Sequence, residues 1–92
     1  MEEIIIDGQS FAGWLIPTGN ANLLIIRGGR GMLACGYLKI ETAEKLGDAL
    51  AVVTGVKTFD DMLRAKVAQV SSAAARLGDE VGMSGRDALK KL

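Results

Sequence analysis

The chain has no histidine, one cysteine and one proline, and only 4% of its residues are aromatic. Each scarcity closes a route. Without histidine the commonest general base near neutral pH is missing. A zinc site of the common Cys/His spacing is also excluded. A single cysteine cannot form an intramolecular disulfide. So few aromatic rings leave little stacking surface for single-stranded nucleic acid. The 11 basic residues are balanced by 11 acidic ones. No field of one sign therefore draws the chain to nucleic acid or to an anionic membrane. No apolar run approaches the length of a membrane span, and the opening Met1-Glu2-Glu3 lacks the basic start of a signal peptide. The expectation is a cytoplasmic protein with no metal, no cofactor, no nucleic-acid partner and no membrane partner.

What is abundant is apolar surface. Hydrophobic residues make up 49% of the 92 positions and charged residues 24%, with a mean hydropathy of +0.25. A chain of this length forms one domain, residues 1–92, and a domain so small has much surface relative to its volume. The composition therefore predicts that part of the apolar surface is buried by a partner, most simply a second copy in a two-fold dimer.

The centre of the chain is Asn22 to Ile40, NLLIIRGGRGMLACGYLKI. Leu23 to Ile26 form a short apolar run of the kind that fits a strand buried on both faces. Gly28, Gly29 and Gly31 are read as supplying positive φ angles for a hairpin turn. A return strand is expected over Met32 to Ile40, with Cys35 in its middle. Before this hairpin, Glu3 to Ile6 and Gln9 to Ile16 are β-prone runs joined by Asp7-Gly8, a strong hairpin signal. The turn cluster Pro17-Thr18-Gly19-Asn20 follows. The first 40 residues thus read as a four-stranded antiparallel meander.

After Glu41 the period changes. Thr42 is the expected N-cap of a short helix carrying Ala43, Leu46 and Leu50. The later part of Ala49 to Val53 reads as a fifth strand, parallel to a neighbour through a crossover. Thr58 is expected to cap a helix with Asp60 and Asp61 in its first turn. Another helix is expected from about Lys66 to Leu77, with Val67, Val70, Ala74 and Leu77 as its core stripe. Ser84 is the expected cap of a last helix. The fold class is therefore α+β, an antiparallel-dominated or mixed sheet of about five strands, with helices of the C-terminal half packed on one face.

Three stretches are specific enough to carry a resemblance: ACGYL at Ala34 to Leu38, TGVKTFDDML at Thr54 to Leu63, and GMSGRDAL at Gly82 to Leu89. Together with DGQSFAGWLIP near the start, they make the chain similar to the YunC-like family, domain of unknown function 1805. The resemblance implies a small prokaryotic α+β domain with no assigned activity and no established catalytic residues. It differs in having Asp87 where relatives often read GREAL, and in the charge of Asp79 where relatives often carry an apolar residue nearby.

The candidate residues are few. Cys35 is the one nucleophile of note. A reactive thiolate needs a cationic neighbour or a helix N-terminus, and neither adjoins it in sequence, so a buried apolar role is the simpler reading. Ser84, Gly85 and Arg86 are anion-binding candidates, because a helix N-terminus offers free N–H groups, Gly85 permits close approach and Arg86 adds charge. Plain capping explains Ser84 equally well. Arg30, in the Arg27-Gly28-Gly29-Arg30-Gly31 turn, is the other anion candidate. The leading expectation is a non-catalytic, self-associating module that binds a small ligand, such as an anion, or a protein partner. The alternative is a small enzyme using Cys35, with Arg86 or Arg30 holding an anionic substrate.

Overall fold

The computed structural model describes all residues, 1–92. Six strands form one sheet in sequential order: β1 (Glu2–Ile6), β2 (Gln9–Pro17), β3 (Asn22–Arg27), β4 (Met32–Ala34), β5 (Leu50–Val52) and β6 (Gln69–Val70). The first four make the antiparallel meander, and β5 then pairs parallel to β4. Parallel neighbours need a crossover; here it contains α1 (Ile40–Leu46). The remaining helices are α2 (Phe59–Arg64), α3 (Ser72–Arg76) and α4 (Gly85–Lys91). The fold is α+β with a mixed, mostly antiparallel sheet. No helix is long and apolar enough to cross a membrane.

The β1–β2 turn follows its sequence signal. Asp7 and Gly8 both have positive φ, 50° and 79°, as the two central residues of a type I′ turn require. The glycines of the second hairpin act differently from expectation. None of Gly28, Gly29 and Gly31 has positive φ. Gly28 and Gly31 are required by close approach instead. A Cβ on Gly28 would overlap the Leu92 main chain, and one on Gly31 would lie 2.6 Å from the Ala49 carbonyl oxygen. The loop grips that segment: Gly31 N–H donates to the Leu92 carbonyl oxygen at 2.8 Å, and the Arg30 guanidinium donates to Lys91 O at 3.0 Å.

Side chains alternate across the sheet. Ile6, Phe11, Leu24, Ile26, Leu33, Ala51 and Val53 point to one face and pack with Met62 of α2, Ala74 of α3 and Ala88 and Leu89 of α4. On the opposite face Ala34, Leu50 and Val52 pack with Ala43 of α1 and with Ile25, Met32, Leu38 and Ile40. The helices therefore do not share one face, as the sequence order suggested. The crossover lays α1 on the opposite side, over β5, in a cluster that includes only Ile25 of β3 and leaves β1 and β2 open.

Two further boundaries differ from the sequence reading. The fourth strand stops at Ala34 rather than Ile40. Leu38 and Ile40 mimic strand alternation, yet they fall in a turn and at the start of α1, where they pack on the second cluster. Lys39, not Thr42, occupies the N-cap. The expected helix over Lys66 to Leu77 is split. Gln69 and Val70 pair with Val52 and Ala51 at the β5 edge, and α3 starts only after Ser71. The Ser71 hydroxyl accepts from Leu50 N–H and from Ala74 N–H and donates to Asp48 O. A buried serine thus ends the strand and caps the helix at once. An available strand edge outweighed the helical spacing of Val67, Val70 and Ala74.

Candidate functional site

The candidate site lies at the carboxyl ends of the parallel pair. In sheets with a crossover, the loops leaving the carboxyl ends of parallel strands diverge and open a crevice. Here the chain leaves β4 through Cys35, Gly36 and Tyr37, and leaves β5 through Thr54, Gly55, Val56 and Lys57. The β2–β3 turn, with Pro17, Asn20 and Asn22, forms the third wall. The resulting cleft has a volume of about 840 Å³.

Side-chain hydrogen bonds fix its walls. Asn22 donates its side-chain N–H to Lys57 O at 2.8 Å, joining the turn to the β5–α2 loop. The Tyr37 hydroxyl donates to Thr18 Oγ1 at 2.9 Å, and Thr18 Oγ1 donates to Ala21 O. Lys57 N–H donates to the Asp61 carboxylate at 3.0 Å. That bond is the main reason the Asp61 carboxyl is held below the usual carboxylate range, with Arg64 adding to it. Thr58 caps α2 as expected, accepting from Asp61 N–H. Lys57 is the one charged residue lining the cleft, and its ammonium forms no ion pair.

Cys35 lies on the cleft floor, just beyond the end of β4 rather than mid-strand. It is 4% exposed. Its Sγ accepts from Leu24 N–H at 3.3 Å, and the thiol is directed at Asn22 O at 3.9 Å. The arginines named with it lie elsewhere. Arg30 precedes β4 and Cys35 follows it, so the strand separates them. Arg86 pairs with Asp7, at the tip of the β1–β2 hairpin, whereas Cys35 neighbours the other end of that sheet, where Pro17 meets Asn22.

The start of α4 is occupied by internal bonds. Ser84 Oγ accepts from Asp87 N–H at 3.0 Å, and Gly85 N–H donates to Ala65 O at 2.8 Å. A Cβ on Gly85 would overlap the Met62 carbonyl oxygen. The glycine thus admits α2, not open space for a ligand. Arg86 and Lys90 both bond the Asp7 carboxylate, at 2.7 and 2.8 Å. The Lys90 bond, then the Arg86 charge, hold the Asp7 carboxyl below its ordinary value. Nearby Asp79 is 2% exposed, and neither carboxylate oxygen has a hydrogen-bond partner. Burial pushes its pKa up to about 6, against the pull of the Lys91 charge. No three His, Cys, Asp or Glu side chains cluster as a metal ion would need.

Tyr37, Thr54 and Lys57 lie within the stretches that carry the resemblance, yet the residues themselves assign no role to them or to Asn22. The signal available for them was topological: a turn cluster at Pro17 to Asn20 and a parallel crossover, whose carboxyl ends must meet.

The sheet and its crossover define a small α+β domain with a cleft at the parallel strand ends. The chain belongs to the DUF1805 family, a domain of unknown function, whose model matches residues 34–92. That stretch contains Cys35, Tyr37, Thr54 and Lys57. The chain is 34% identical over 93 residues to the uncharacterized protein YunC of Bacillus subtilis (strain 168), covering 97% of this chain and 92% of that protein. It is also similar to the crystal structure of TA1206, a protein of unknown function from Thermoplasma acidophilum. The TM-score is 0.93 and the identity 43%, over 99% of this chain and 89% of that one.

Proposed function

We propose that this protein is a non-catalytic cytoplasmic module that binds a small anionic ligand with an apolar body in the Cys35–Lys57 cleft. The observation that carries the reading is Lys57, the one charged residue lining the cleft, whose ammonium forms no ion pair. Pro17, Val56 and the half-exposed Tyr37 ring offer apolar contact, and Asn22 and Thr54 offer polar contact. A few placed polar groups on a largely apolar wall are the usual composition of a small-molecule site. One cation in such a wall selects an anion of modest size.

Thermal unfolding in the presence of benzoate and of neutral benzamide tests this. Benzoate at tenfold its dissociation constant should raise Tm by about 5–10 °C, and benzamide should raise it less. Lys57→Ala should remove the difference, and Arg86→Ala should leave it intact. Equal shifts from both compounds, or loss in Arg86→Ala alone, would place the binding elsewhere.

The catalytic reading has one observation in its favour, the position of Cys35 on the cleft floor with an N–H aimed at its sulfur. Against it stand the distant arginines and the burial of the thiol. Iodoacetamide should modify Cys35 slowly in the folded protein and rapidly in denaturant. Rapid modification of the native protein at mildly acidic pH would favour the enzyme.

A further inference from the structure

We infer that the β1–β3 face opposite the main core is a self-complementary docking surface for a second copy of this chain, pairing Glu3 of each protomer with the partner's Arg27. The face is apolar, and apart from Ile25 of β3, which packs in the α1 cluster, it is uncovered. Ile5, Trp14 and Ile16 are 58%, 37% and 55% exposed, and on the same side α1 lies over β5. An exposed cluster of this kind on a small soluble domain marks an interaction site.

What selects a second copy is the arrangement of charge. Glu3 pairs with Ala12 across β1 and β2, and Ala12 pairs with Arg27 across β2 and β3. The three residues form one row on this face, acid and base one strand spacing, about 4.8 Å, to either side of Ala12. Arg27 makes no ion pair, and the Glu3 carboxylate accepts only the Ser10 hydroxyl, at 2.8 Å. A groove of about 400 Å³ lies over this row, lined by Glu3, Ala12, Trp14 and Arg27 among others.

A two-fold axis along β2, between two sheets packed face to face, exchanges β1 with β3. Ala12 then meets the partner's Ala12, where small side chains permit close approach. Trp14 meets the partner's Trp14. Glu3 meets the partner's Arg27, and Arg27 meets the partner's Glu3, as an isologous contact requires. Helix α1 stands beyond β3, where it flanks the partner's edge strand and limits sideways sliding. An unrelated partner would have no reason to find acid and base placed symmetrically about β2.

Sedimentation equilibrium at micromolar concentration should give twice the 9.7 kDa protomer mass. Glu3→Arg and Arg27→Glu should each weaken dimerisation at least about a hundredfold, because each reversal sets two like-charge pairs in one contact. The double variant, Glu3→Arg with Arg27→Glu, should restore the dimer. Both positions are exposed, and a thermal melt confirms that each variant is folded. A monomer mass for the wild-type chain throughout the micromolar range overturns the inference. So does a dimer that survives either single reversal, or a folded double variant that stays monomeric.

Discussion

At the start of α4, the Ser84 hydroxyl, the Gly85 N–H and the Arg86 guanidinium all bond partners within the protein. At the cleft beside Cys35 the backbone is tied down by Asn22, Tyr37 and Asp61, while the Lys57 ammonium remains unpaired. Both regions contain glycine, hydroxyl and basic residues in short loops. The difference is what stands next to them in space. Gly85 faces the α2 backbone, and Gly36 faces only the Thr54 methyl, 3.5 Å from an added Cβ. Similar residue types thus build an internal joint in one place and line an open cleft in the other.

Alanine at the two glycines should separate them most sharply. Gly85→Ala must displace α2 from α4 and should destabilise the fold by about 3 kcal/mol. Gly36→Ala adds an ordinary van der Waals contact and should cost less than about 0.5 kcal/mol. Urea unfolding of both variants measures the contrast. Equal costs would remove the distinction between joint and cleft.

Asp79 sharpens the comparison from the side of charge, because it is a buried carboxyl without a partner in the loop that leads to α4. Its folded-state pKa of about 6 lies above the ordinary 3.8, so the folded protein holds a proton that the unfolded chain releases. The resulting stabilisation is complete below pH 3.8 and is lost as pH rises through 6, a change of up to about 3 kcal/mol. Asp79→Asn should therefore be more stable than the wild-type chain at pH 8 and little different at pH 4. Urea unfolding at the two values checks it. A variant less stable at pH 8 would mean that Asp79 has a partner in solution.

The sequence made the meander, the Asp7-Gly8 turn, the Thr58 and Ser84 caps and the parallel fifth strand legible, because each rests on local signals of turn chemistry or apolar patterning. It misled at Leu38 and Ile40, whose spacing fits a strand as well as a turn leading into a helix. It also misled at Val67 to Ala74, where the β5 edge claimed Gln69 and Val70. The candidate site was less legible than the fold. Cys35 was visible as a residue type, but its wall is assembled from three loops far apart in sequence. Gly28 and Gly31 signalled a turn, yet what crowds them is the Leu92 main chain and the Ala49 carbonyl, contacts distant in sequence that no local pattern encodes.

Smallest in amplitude and most direct is the response of backbone amide resonances to benzoate. In ¹H–¹⁵N spectra of the wild-type chain, saturable shifts should gather at residues 18–22, 35–37 and 54–57, while residues 84–87 stay unmoved. Shifts centred on residues 84–87 with a silent cleft would contradict the account, and would return the binding site to the start of α4.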